Sequence, residues 1–329
     1  MQKKMENQCF ELLSSSANIL IAVHRKPDGD AVGAAFGLAA VLEEAGKNVQ
    51  VLMPEGFPVK YAPLVRKKAI TTLPVECGAF DLVMLLDTAR ASLAGFGSED
   101  SAEKLPGRPP LMVIDHHPGN DIECCCRLAD PSAAAASLLC FETALQMQWQ
   151  INAEAATLFL LGLSTDTGGF RFSNSDSRAF AAAGKLLELG ADLDAVNTNA
   201  YFSKPVKQQK LEADMVLNHL QFRANGAVAV GTVTAEMLEQ YDFDMRDGEG
   251  IIERIREMQG VMAAILISPR GNSLKLSART RSGSISAAAI LEEFGGGGHK
   301  YAAGLQINEN IDTTVAAVLN RFEEELEKL

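Results

Sequence analysis

Several short apolar stretches of this chain stop on aspartate or histidine, the residue types that hold divalent cations and move protons. Pro110-Leu111-Met112-Val113-Ile114 delivers Asp115, His116 and His117, and Ile19-Leu20-Ile21-Ala22-Val23 runs into His24, Asp28 and Asp30. Leu82-Val83-Met84-Leu85-Leu86 ends on Asp87, and a helical stretch runs into Asp166. Mixed carboxylate and imidazole donors suit Mn²⁺ or a similar first-row divalent ion better than a structural zinc, which prefers thiolates. Two such ions about 3.5 to 4 Å apart clamp a phosphoryl group and lower the pKa of a water between them. So many carboxylates in one place would repel one another without cations.

The elements that must gather these groups can be read from the same runs. Their length and abrupt stops are those of buried parallel strands, and open α/β sheets carry their sites at the carboxyl ends of such strands. Helical composition over residues 31–44, stopped by Gly46, precedes a further strand at 49–53. Helices are expected at 133–147, 153–163 and 177–189. The alternation predicts an α/β fold, with a doubly wound parallel sheet over residues 1–190. Residues 191–220, polar, partly helical and interrupted by Pro205, suit a linker. A smaller α/β domain is expected over 221–329, with strands at 228–233, 261–267 and 274–280 and helices at 251–258 and 285–294. The site would lie in the cleft between the two domains.

Composition narrows the partners. With 329 residues, 47% hydrophobic and 22% charged, the chain can bury two soluble cores. A net charge of −12 argues against a protein that holds long duplex nucleic acid by its phosphates, which needs a positive stripe. Short oligonucleotides or small nucleotides stay open as substrates, and so does a homodimer. No apolar run approaches transmembrane length and the first one is too short for a signal peptide, so the expected place is the cytoplasm and no membrane contact is expected. The run Cys124-Cys125-Cys126 has no CxxC spacing and reads as buried small hydrophobes.

In order and type these motifs resemble the DHH phosphoesterase superfamily, named for the triplet seen here as Asp115-His116-His117. Its first motif appears as His24-Arg25-Lys26-Pro27-Asp28-Gly29-Asp30, its second as Asp87 and its fourth as Asp166-Thr167-Gly168. The accompanying C-terminal domain is matched by Ser277-Ala278-Arg279 and by Phe294-Gly295-Gly296-Gly297-Gly298-His299 with Ala302-Ala303-Gly304. The resemblance implies two Mn²⁺ ions, with Mg²⁺ or Co²⁺ as substitutes. His24 and Asp28 would hold one ion, Asp30, His116 and Asp166 the other, and Asp87 both. It makes Asp115 the residue that orients the histidines and His117 the one that faces the substrate phosphate.

For the second domain, four successive glycines permit positive φ and close approach of N–H groups to an anion. Gly296, Gly297, Gly298 and His299, with the guanidinium fork of Arg279, are the candidate substrate-binding residues. Within the superfamily the chain is most similar to the bifunctional oligoribonuclease and phosphoadenosine phosphatase branch. That implies hydrolysis of very short oligoribonucleotides to mononucleotides and of 3′-phosphoadenosine 5′-phosphate to AMP and phosphate. The alternatives are a phosphodiesterase for cyclic di-AMP or its linear product, and, from a different class, a nucleotide-binding regulator without catalysis.

Overall fold

The structure, a computed structural model, describes residues 2–66, 70–71, 77–94, 109–120, 122–245, 248 and 250–328. The chain divides into two compact units, Met1–Ser203 and Lys204–Leu329.

The first unit opens with α1 (Gln2–Ser15), which the sequence did not suggest, and continues β1 (Asn18–Ala22), α2 (Gly29–Glu44), β2 (Asn48–Leu52), β3 (Ile70–Thr71), β4 (Leu82–Leu86), β5 (Leu111–Asp115) and β6 (Cys126–Ala129). It ends with α3 (Ala136–Gln146), α4 (Ala153–Asp166), α5 (Ser177–Glu188) and α6 (Leu193–Ala200). All six strands are parallel, in the order β3-β2-β1-β4-β5-β6. The order runs outward from β1 and then resumes on its other side with β4, so β1 and β4 form the switch point at which ligands bind in such sheets. Every residue of β4 and β5 is buried, which is why these strands read as unbroken apolar runs rather than alternating ones.

Glycines set how closely the helices approach. Gly29, Gly33 and Gly37 lie one turn apart on α2, and the face they share meets α4. A Cβ on Gly33 would stand 2.4 Å from the carbonyl oxygen of Leu158, and one on Gly37 would meet the Phe159 ring at 2.7 Å. The start of α2, which carries Asp28 and Asp30, is thereby pressed against the end of α4, which carries Asp166.

The residues expected as a linker are mostly helical. Val196 of α6 lies in the core of the first unit, while Leu211 and Met215 of α7 (Val206–Asn218) are buried in the second. The polar residues that suggested a linker include the solvent faces of these two helices.

After α7 the second unit runs β7 (Leu220–Arg223), β8 (Val228–Thr232), α8 (Ala235–Gln240), α9 (Ile251–Arg256), β9 (Ala263–Arg270), β10 (Ser273–Thr280), α10 (Ala287–Glu292), β11 (Gly297–His299), β12 (Ala302–Ile307) and α11 (Ile311–Leu326). Its sheet has the order β11-β12-β10-β9-β8-β7 and is mixed, only β8 and β9 being parallel. Separate cores cover its two faces: Ile290, Val318 and Phe322 with Leu276, Ala278 and Leu305 on one, and Leu211, Met215, Ile251 and Ile255 with Ala229 and Ala264 on the other. Each fully buried Leu, Ile or Phe among them contributes about 1.5 to 3 kcal/mol. No described helix is long and apolar enough to cross a membrane.

Candidate metal centre

The three strand ends and two helix ends bring the predicted acids and histidines of the first unit together. Asp87 follows β4 with φ of 52°, a left-handed conformation that aspartate tolerates better than most residues. Its side chain is 3% exposed and faces three histidines, with Oδ2 3.6 Å from His24 Nε2 and Oδ1 3.5 Å from His116 Nε2 and 3.7 Å from His117 Nδ1. Its two oxygens therefore point into two different donor sets.

His24, Asp28 and Asp87 form the first set, their donor atoms lying within 4.8 Å of one another. Asp28 is also the N-cap of α2, accepting from Asp30 N–H and Ala31 N–H at 3.0 Å. Asp30, His116 and Asp166 form the second set. Here His116 Nε2 lies 3.9 Å from Asp30 Oδ2 and 3.7 Å from Asp166 Oδ2. Its Nδ1 faces the Ala133 carbonyl oxygen at 3.3 Å, a bond that places the proton on Nδ1 and turns Nε2 toward the acids.

Asp115 is fully buried and receives His117 Nδ1 at 2.7 Å and Asn120 Nδ2 at 2.6 Å. It was expected to orient both histidines. The structure shows this bond at His117, whereas the ring of His116 is held by a main-chain carbonyl. Asn120, which also donates to Thr88 O at 2.9 Å, had no sequence signal beyond lying after the triplet.

Electrostatics describe a centre built for cations. Burial opposes charge on His24, but the bond to Asp87 and the charge of Asp28 outweigh it and raise its pKa to about 9. Burial and the neighbouring charge of Asp87 push Asp30 up to about 7. Burial likewise pushes Asp166 well above the carboxylate range. Asp87, although buried, is held below that range by its bonds to His116 and His24. The centre thus keeps protons where a cation would sit, and the donors, hard oxygens plus imidazole nitrogens and no thiolate, fit a first-row divalent ion.

A measurable consequence is proton release. At pH 7 the folded ion-free chain carries a proton on His24 that a bound ion must displace, so binding should liberate protons and tighten as pH rises toward about 9. The sign agrees with linkage: a raised histidine pKa stabilises the ion-free fold fully below about 6.5, and that contribution is lost as pH rises through about 9. Titrating Mn²⁺ in buffers of differing ionisation enthalpy measures the proton count; a count of zero at pH 7 would refute this account of the centre.

The second unit places the other candidates in one row of its sheet. Arg279 of β10 and His299 of β11 are both register partners of Ala302 on β12, so their side chains leave the same face about 10 Å apart. Ser277, Gly304 and Gly297 form the neighbouring row on that face, giving a floor of small residues between the arginine and the histidine. Arg279 is not isolated, since its Nε lies 3.5 Å from Glu253 Oε1.

The glycine run is a turn and an edge strand rather than an open loop. Gly295 and Gly298 take positive φ, at 83° and 144°, while Gly297 to His299 pair with β12. A Cβ on Gly296 would lie 2.6 Å from the Gly304 carbonyl oxygen and one on Gly298 2.5 Å from that of Ala302. Two of the four glycines are thus required by close strand packing. The cysteine run, expected to be buried, is so only at Cys126, which opens β6; Cys124 is half-buried and Cys125 exposed, its Sγ donating to Leu111 O at 2.8 Å.

Comparison with known proteins agrees with this architecture. The DHH family N-terminal domain matches residues 18–163 and the DHHA1 domain residues 225–328. The chain is 30% identical over 330 residues to the bifunctional oligoribonuclease and PAP phosphatase NrnA of Thermus thermophilus, covering 98% of this chain and 95% of that one. The crystal structure of an exopolyphosphatase-related protein from Bacteroides fragilis superposes with a TM-score of 0.87 at 24% identity, over 99% of this chain and 96% of that one. RecJ from Thermus thermophilus in complex with Mn²⁺ shares the fold at a TM-score of 0.54 and 16% identity, over 99% of this chain and 55% of that one. The chain belongs to the DHH family of phosphoesterases, an enzyme with a DHH domain followed by a DHHA1 domain.

Proposed function

We propose that this enzyme hydrolyses short oligoribonucleotides to mononucleotides and 3′-phosphoadenosine 5′-phosphate to AMP and phosphate, using two Mn²⁺ ions that share Asp87. The observation that carries the reading is the division of Asp87: one oxygen faces His24 of the first donor set and the other faces His116 of the second. A bridging carboxylate between two oxygen and imidazole sets suits a pair of ions spaced for phosphoryl transfer. The named activity of the Thermus relative, which matches over nearly its whole length, supports the substrate class.

When bound, the ions would polarise the phosphoryl oxygens and make a water acidic enough to attack at neutral pH. The residues around them supply position and charge. Asp115 accepts the Nδ1–H of His117 and so orients the ring, and in the protonated ring Nε2 would donate to a phosphoryl oxygen as negative charge builds there. Burial opposes charge on His117, but its bond to Asp115 outweighs this and raises its pKa, favouring the charged donor form. In the second unit, Arg279 and His299 would hold a phosphate away from the reacting one, over the floor of Gly297 and Gly304.

Substrate length tests this reading. The chain is acidic as a whole, at −12, and the positive groups assigned to the substrate are few, so each added nucleotide gains little and meets repulsion. Purified protein with Mn²⁺ should be most active on about two to five nucleotides and decline with length. Arg279→Ala should raise KM on a dinucleotide with kcat and ion binding close to wild type, since it removes binding distant from the reacting phosphorus. Equal efficiency on 30-mers and dinucleotides, or preference for cyclic di-AMP over both proposed substrates, would contradict it.

A further inference from the structure

The second donor set hangs on one short segment, residues 130–137, which leads from β6 into the first turn of α3. The Ala133 carbonyl holds the His116 ring. The main-chain N–H groups of Ala136 and Ser137 donate to the two oxygens of Asp30, at 2.6 and 2.9 Å. Ala135, the N-cap of α3, contributes no side-chain cap, so Asp30 from α2 takes the place a local serine or aspartate would fill. The third member, Asp166, is tied to the same segment through Asn174, whose Nδ2 donates to Ala134 O at 3.0 Å and to Asp166 O at 3.1 Å. The far side is fixed by Arg178, which is bidentate to Glu142 at 2.6 and 2.5 Å and bonds Asp130 at 2.6 Å.

We propose that Asn174 is a positioning residue for one ion site only: by clamping the 130–137 segment to the end of α4, it sets the spacing of Asp30, His116 and Asp166. His24 and Asp28 receive none of these bonds; His24 follows β1 and Asp28 caps α2, and the segment meets that helix at Asp30, a member of the second set. The outer partners of ligands typically alter metal affinity about 10 to 100-fold when removed. A change in Asn174 therefore splits the two sites, which a general loss of stability would not do. The inference rests on the two-ion reading above.

The test is calorimetric titration of Mn²⁺ into wild type and Asn174→Leu, which keeps the volume and removes the donor. Thermal unfolding of the ion-free proteins and kcat and KM on a dinucleotide are measured alongside. One site should weaken about 10 to 100-fold while the other stays within about twofold, with kcat reduced and KM little changed. Arg178→Lys, which keeps charge near Asp130 and Glu142 without the bidentate fork, should weaken the same site by less. Two sites unchanged in Asn174→Leu, or both weakened by one factor together with a lower unfolding temperature, would overturn the inference while leaving the two-ion reading in place. A wild type that binds a single ion would overturn that reading and this inference with it.

Discussion

Asp87→Asn is expected to abolish hydrolysis and to weaken ion binding at both sites, the largest effect of any single change in this chain. Each of its oxygens faces a different histidine, at 3.6 and 3.5 Å, so loss of its charge is felt by both donor sets. The rate should fall by more than the about 10² to 10³ that one transition-state donor contributes. Asparagine is the informative replacement. At φ of 52° most L-residues incur about 1 to 2 kcal/mol of backbone strain, which asparagine, like aspartate, largely escapes. Alanine would mix that strain with the lost ligand. Ion stoichiometry and turnover measured on the same Asp87→Asn sample decide the matter, and near-wild-type values of either would show that Asp87 is not shared.

His117→Ala is the second large effect, and it has a different signature. The nitrogen nearest Asp87 is Nδ1, at 3.7 Å, and that nitrogen already bonds Asp115 at 2.7 Å. The ring is therefore read as oriented toward substrate rather than spent on an ion. Both ions should stay bound while kcat falls by about 10² to 10³. His116→Ala should instead lose an ion, because its Nε2 faces three carboxylates. If the two variants exchange these behaviours, the roles of the two histidines are reversed.

Much of the centre was legible because its residues stand where strands stop. β1, β4 and β5 are buried on both faces, so their apolar runs are unbroken, and the polar residue that ends each run marks the sheet edge. What the sequence concealed is carried by main chain and by distant partners. Residues 133–136 are all alanine, and nothing in such a run announces that its carbonyl and N–H groups hold His116 and Asp30. β6 was missed because it is an edge strand of four residues whose burial is uneven and whose Arg127 turns back to the carbonyl of Asn120. α1 has a polar face and a basic start, and among its described side chains Cys9 and Leu13 are the fully buried ones. In the second unit the glycine run was read as backbone open to an anion, since a sequence shows the freedom of glycine but not the carbonyls of Ala302 and Gly304 that demand it.

The central claim, that two ions share Asp87, is most directly tested by anomalous diffraction at the manganese edge from crystals equilibrated with Mn²⁺. Two peaks about 3.5 to 4 Å apart are expected. One should be bounded by His24 and Asp28, the other by Asp30, His116 and Asp166, with Asp87 between them. A single peak, or two peaks of which one lies away from Asp87, would contradict the account.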